Sequence, residues 1–423
     1  MPSVRDLACP EGLRDPYAVY AHFRDAEAAG EDIGRIVVRY DQVTGLLADR
    51  RLSSDRVGGI LAPLGSGVRG QCPLVERTLR NIVAFRDPPD HTRIRRLLAS
   101  TFSIRMVARV EGMVEGISAR LLDAVAAGGE ADLHRAYTYP LPAMVVGAML
   151  GIPEADLDRF KSWALDIVFL VGSGSPTAEL AHAAEGHFAE MREYLRSLVA
   201  ARRAAPGDDL LSAMIAAADD EGRLSEDEIF ANATFLMTAG HETATNLLSN
   251  GVLTLIRHPD QFERLRRDPA LIPSAAEEIL RFESPVQMTP RHAVEDGELA
   301  GRKVRAGDAL LLFLGAANRD PARFPDPDRF DIARADNRHL AFGFGAHFCL
   351  GAALARMELR IALAHVLDRL PGLELAVDDV AWQPTIDFRG PLSLPVRWRP
   401  RLTARLSARP LLEAGSRDTS KKD

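Results

Sequence analysis

The stretch Phe342-Gly343-Phe344-Gly345-Ala346-His347-Phe348-Cys349-Leu350-Gly351 decides how the rest of this chain is read. Three glycines bracket one cysteine. Behind it, Leu350, Leu354, Met357, Ile361 and Ala364 recur at spacings of three and four, with Arg356 and Arg360 on another face; that is the pattern of a helix with one apolar side. Pro371-Gly372 ends it. Cys349 therefore falls at a helix N-terminus, where free backbone N–H groups and the helix dipole favour a thiolate. The glycines let the backbone approach something flat or bulky and supply the left-handed conformations of a tight loop. A thiolate held in this way suits a soft or borderline metal as an axial ligand. A lone cysteine in an apolar segment is more often a small buried hydrophobe. The pattern Phe-x-x-Gly-x-x-x-Cys-x-Gly, complete as Phe342, Gly345, Cys349 and Gly351, is far more restrictive.

That stretch resembles the haem-binding loop of the cytochrome P450 superfamily. The resemblance implies that Cys349 is the proximal ligand of the iron in haem b (iron protoporphyrin IX), with Phe342, Gly343, His347 and Gly351 around the same group. Such a thiolate pushes electron density toward O–O cleavage.

Composition is compatible with this. A chain of 423 residues with 47% apolar content can bury a large core. Aromatics are few, at 6%, while Ala, Leu and Arg are abundant, which suits a mainly helical protein. The formal charge of −7 argues against a nucleic-acid partner. Cys9, Cys72 and Cys349 are widely spaced and odd in number, so neither a disulfide framework nor a zinc site is indicated, as in a reducing cytoplasm. The first thirty residues are charged and lack the apolar core of a signal peptide. The longest apolar run, Pro140 to Ile152, is too short to span a bilayer. A soluble, cytoplasmic protein is expected.

Along the chain, residues 35–40 read as a strand, and residues 53–71, rich in Gly, Ser and Pro, as a long loop. Pro88-Pro89 opens a helix that sets His91 and Arg95 four apart on one face. Amphipathic helices are expected over about 105–126, 141–150, 154–171 and 178–203. Residues 1–400 read as one domain, and the polar stretch 401–423 as a disordered tail. In the family that the Cys loop resembles, the residues matching His91 and Arg95 bind the haem propionates, and so do those matching Arg291 and His347.

Ser225-Glu226-Asp227-Glu228 is a capping box, and the helix it opens runs without proline to about Arg257. Some 32 residues at about 1.5 Å each give roughly 48 Å, enough to cross the whole protein. Its centre reads Ala239-Gly240-His241-Glu242-Thr243. Gly costs about 1 kcal/mol against Ala in a helix interior, and an acid there is expensive to bury. Local rules broken in mid-helix point to function. The stretch is similar to the family's oxygen-binding motif, which implies an oxygen groove at Ala239 and Gly240 and proton delivery by Glu242 and Thr243. Glu278 and Arg281, three apart on a later helix, resemble the family's structural Glu-x-x-Arg pair. Arg329 is the candidate for the arginine that joins them and braces the Cys loop.

The fold class expected from this resemblance is mainly α with a smaller β region, its long central helix crossing the haem. The expected activity is a monooxygenase that inserts one oxygen atom from O2 into a lipophilic small molecule. The chain has no flavin or iron–sulfur segment, so electrons should come from a separate ferredoxin or flavodoxin-type donor with its reductase. Arg93, Arg96, Arg356 and Arg360 are the candidate docking patch. A peroxide-driven or oxidative-coupling enzyme is the nearest alternative, and a haem sensor or carrier without turnover a distant one. Ile60, Leu61, Phe169, Leu170, Leu236, Val286, Met288 and Leu392 are the candidate pocket residues; their apolar character suggests a terpenoid, steroid, fatty acid or polyketide.

Overall fold

The capping box at Ser225 closes as its sequence requires. The Ser225 N–H donates to Glu228 Oε2 at 2.8 Å, and the Glu228 N–H donates to Ser225 Oγ at 3.2 Å. From this start one unbroken helix covers Glu226–Arg257 in a computed structural model that describes residues 3–102, 104–160, 163, 170–171, 176–218 and 224–400. Phe169, parts of the expected 154–171 helix and the 401–423 tail lie outside the described residues.

Six helices frame the site: α1 (Asp90–Thr101), α2 (Ile104–Asp123), α3 (Pro140–Met149), α4 (Glu226–Arg257), α5 (Ile272–Phe282) and α6 (Ala352–Arg369). α4 runs through the middle, packed on α3, α5 and α6, and α6 also lies along α2. The burial is nearly all-round: residues 244–255 of α4 are buried without exception. A helix that is buried on every side must satisfy its polar side chains internally. Thus Asn232 Nδ2 donates to the carbonyls of Asn81 and Glu228, and Asn250 Nδ2 to that of Arg389. The largest apolar cluster brings Val114, Val145, Leu248, Ile279 and Leu359 together from these helices.

The strands are short: β1 (Ile36–Val37), β2 (Leu52–Ser53), β3 (Glu130–Asp132), β4 (Met288–Ala293), β5 (Ala309–Phe313), β6 (Glu374–Leu375) and β7 (Pro395–Arg397). One sheet has the order β1-β5-β4-β2, another β3-β7-β6. In the first, Arg291 of β4 lies opposite Leu310 and His292 opposite Ser53. The fold is therefore mainly helical with a smaller β portion, as the sequence led us to expect.

Two local expectations change. Only Ile36 and Val37 of residues 35–40 pair as a strand, because Tyr40 already opens the next helix, its N–H donating to Asp320 Oδ2 at 2.9 Å. Residues 53–71 are not an open loop. They form short helices, Val57–Leu61 and Gly65–Gln71, joined by a 3-10 turn, because Val57, Leu61 and Leu64 drop into the main core. Tertiary burial overrides a glycine-rich local signal there.

Candidate functional site: a cysteine loop facing a buried helix

The Cys loop is shaped by its own backbone. The Gly343 N–H donates to the Leu340 carbonyl at 2.8 Å and the Cys349 N–H to the Phe342 carbonyl at 2.9 Å. Gly343 and Gly345 have φ of +70° and +75°, a region that side chains rarely enter. A Cβ at Gly345 would also sit 3.2 Å from the Leu47 carbonyl. α6 begins only at Ala352, with Gly351 as its N-cap, so Cys349 precedes the helix. The surrounding protein desolvates its thiol and pushes it up, while the Gly351 N–H and the guanidiniums of Arg95 and Arg356 pull it down.

Four basic side chains converge beside this loop. The His91 and His347 rings lie 4.0 Å apart, centroid to centroid. Burial, then the neighbouring His91 and Arg291, hold His347 at about 3. Burial, then Arg56, lowers Arg291 to about 10, and burial also lowers His91 and Arg95. Arg291 donates to Thr289 Oγ1 and to the Pro290 carbonyl, and Arg95 to the Phe348 carbonyl. Among the described residues, the buried His91 Nε2 has no partner. Two desolvated guanidiniums, those of Arg95 and Arg291, beside two imidazoles that burial keeps neutral call for an anion, and guanidiniums suit carboxylates. Phe344 and Phe348, 45% and 41% exposed, add apolar surface to the loop that carries Cys349. A flat apolar macrocycle with two carboxylates and a thiolate-ligated iron fits this set of groups.

In α4, Leu236, Ala239, Gly240 and Thr243 are only half-buried in the middle of an otherwise buried helix. Their spacing of three and four makes one stripe. Thr243 Oγ1 donates to the Ala239 carbonyl at 2.5 Å, the back-bonding open to a helical threonine. Glu242 is buried, which pushes its carboxyl up, and Oε1 accepts from Gln383 Nε2 at 2.7 Å. A Cβ at Gly240 would meet Val146 Cγ2 at 2.9 Å, so a larger residue there would push against α3.

The brace behind the loop is also corrected. Glu278 and Arg281 are both fully buried and pair through two contacts of 2.8 Å. The arginine that joins them is Arg334, whose Nε lies 3.2 Å from both Glu278 oxygens. Arg329 is exposed and contributes its backbone carbonyl, which accepts from Arg281 at 3.2 Å and from Arg334 at 3.0 Å. The segment carries several arginines and its spacing does not say which one turns inward. Gln383 was likewise missed, since a lone glutamine in a late loop carries no local signal. Of the candidate pocket residues, Ile60, Leu236 and Val286 are half-buried and Leu392 is 53% exposed, whereas Leu61, Leu170 and Met288 belong to the core.

With this geometry in place, the comparisons with known proteins agree. The family model described as Cytochrome P450 matches residues 69–372. Cytochrome P450 monooxygenase PikC of Streptomyces venezuelae is 40% identical over 94% of this chain and 95% of its own length. Vitamin D(3) 25-hydroxylase of Pseudonocardia autotrophica is 40% identical over 94% and 97%. The crystal structure of the myxobacterial cytochrome P450 CYP267B1 in complex with myristic acid is 38% identical, with a TM-score of 0.84 over 94% of this chain and all of that one. The chain belongs to the cytochrome P450 family. It is a haem-thiolate monooxygenase, an oxidoreductase that uses O2 and reducing partners to oxidise a lipophilic small molecule. Among the described residues no helix is long and apolar enough to cross a membrane.

Proposed function

We propose that Cys349 ligates the iron of a haem b, that His91, Arg95, Arg291 and His347 take its propionates, and that Glu242 and Thr243 deliver protons during oxygen activation. When bound, the haem supplies the oxygen chemistry; the chain's residues hold it, exclude water and move protons. The half-buried stripe of Leu236, Ala239, Gly240 and Thr243 in a buried helix, with a buried carboxyl next to it, supports this reading best. A hydroxyl that can turn from the Ala239 carbonyl, beside an acid whose burial favours its protonated form, makes a pair suited to general acid work. Residues 1–400 act as one such domain.

The relatives' names point to bulky lipophiles: vitamin D(3) for one and myristic acid for another. Hydroxylation of a sterol-like, fatty acyl or polyketide molecule is the reaction we assign. Electrons come from a ferredoxin or flavodoxin-type donor, and a cytoplasmic setting suits both. Arg96 and Arg360 are exposed and make no ion pair among the described residues, whereas Arg93 and Arg356 are already engaged with Glu228 and Glu277. The docking patch therefore centres on Arg96 and Arg360.

Thr243→Ala tests the oxygen-activating reading. It removes one side-chain hydrogen bond within α4, so folding and the substrate-induced spin change of the ferric haem should persist. NADH and O2 consumption should continue while hydrogen peroxide replaces hydroxylated product. Full coupling of NADH to product in Thr243→Ala would refute the proton-delivery role and favour a peroxide-driven or coupling enzyme.

A further inference from the structure

Among the described residues, the hydrogen bond that Glu242 accepts from outside its helix comes from an amide. The hairpin 382–391 closes through the Trp382–Pro391 bridge and the Gln383 N–H, which donates to the Gly390 carbonyl at 3.0 Å. It lies against α4 so closely that a Cβ at Gly390 would come within 2.1 Å of Asn246 Oδ1. Only glycine permits that approach. The hairpin thereby delivers Gln383 to the buried acid. Gln383 Nε2 donates to Glu242 Oε1 at 2.7 Å and to Asn246 Oδ1 at 3.2 Å, while Asn246 Nδ2 returns a bond of 3.3 Å to Gln383 Oε1. Asn246 stands four residues after Glu242 on the same helix, so amide and acid are gripped from one face.

We propose that Gln383 is the positioning residue for Glu242, holding its carboxyl in one orientation and in a form that can give up a proton. The inference rests on the proton-delivery reading of Glu242.

The choice of an amide has a consequence. A guanidinium or ammonium at this place would hold Glu242 as a carboxylate, unable to give up a proton. An apolar side chain would leave the carboxyl with no fixed orientation. The other titratable groups nearby do not take over the role. Tyr139 is itself pushed up to about 12, by burial and then by Glu242, and His241 faces the Tyr139 ring and carbonyl. On the hairpin, Arg389 is engaged with Glu283, and burial pushes Asp387 up to about 6.

The test is an infrared titration of the Glu242 carboxyl band in the haem-loaded ferric protein, identified by its loss in Glu242→Gln and read without turnover. Gln383→Arg should move the titration midpoint down by roughly 1–3 pH units, and Gln383→Met should move it up. Both should lower coupled product formation several-fold and shift its pH profile in the same sense, with the substrate spin-state titration unchanged. Either variant suffices if the other does not fold. A carboxyl band that titrates identically in parent and Gln383 variants would overturn the positioning role. If Thr243→Ala stays fully coupled, proton delivery itself fails, yet the infrared titration still reports whether Gln383 governs the acid.

Discussion

Exchanging Arg334 and Arg329 for methionine, one at a time, separates the arginine that braces the Cys loop from its neighbour. Glu278 is fully buried, and its carboxylate accepts from Arg281, Arg334, Asn337 Nδ2 at 3.0 Å and the Asp331 N–H at 3.0 Å. Arg334→Met keeps the 2.8 Å pairing with Arg281, so the carboxylate stays compensated. It loses the two 3.2 Å contacts from Arg334 Nε, and the Pro325, Asp326 and Arg329 carbonyls lose a donor but can turn to water. The gross attraction between opposite charges about 4 Å apart is about 4 kcal/mol at an effective dielectric constant near 20. Recovery of Arg334's own hydration reduces this, and hydrogen bonds to charged groups contribute about 1.5–3 kcal/mol. The expected loss is about 2–3 kcal/mol. Arg329 offers only its carbonyl, which methionine retains, so Arg329→Met should stay within about 0.5 kcal/mol. Urea unfolding of the two variants followed by far-ultraviolet circular dichroism gives the ranking, and the rate of haem loss should rise for Arg334→Met alone. A larger loss for Arg329→Met than for Arg334→Met would refute the assignment.

Two further outcomes follow from the same geometry. Reversing Arg96 and Arg360 to Glu should slow electron transfer from an acidic ferredoxin and flatten its dependence on salt, with substrate binding unaffected; identical stopped-flow rates in variant and parent across ionic strengths would exclude that surface. On α6, Glu358 is buried, its Oε2 lacks a partner among the described residues, and burial pushes its carboxyl up to about 8. The folded chain therefore keeps a proton that the unfolded chain releases near its ordinary value of about 4.5, so stability falls as pH rises from there to about 8. Glu358→Gln should flatten that fall and stabilise the protein at pH 7 by up to about 3 kcal/mol. An unchanged pH profile of the urea midpoint would contradict it.

The sequence by itself determined what is written in a few neighbouring residues. The capping box at Ser225 and the absence of proline fixed α4 from end to end, because caps and helical propensity act within one or two turns. His91 and Arg95 were legible as one face of α1 because they stand four apart, and the glycines of the Cys loop because a left-handed backbone has few other occupants. The tertiary structure decided whatever depends on partners distant in the chain. Arg334 rather than Arg329 meets Glu278 across 56 residues, and Gln383 meets Glu242 across 141. Gly240 was recognisable as an anomaly, but which face its missing side chain opens depended on where α3 lies. The crowding of His91, Arg95, Arg291 and His347 arises only when α1, β4 and the Cys loop are folded together. Local periodicity records which residues share a face of an element, whereas the desolvation that gives those residues their chemistry is created by the elements packed against that face.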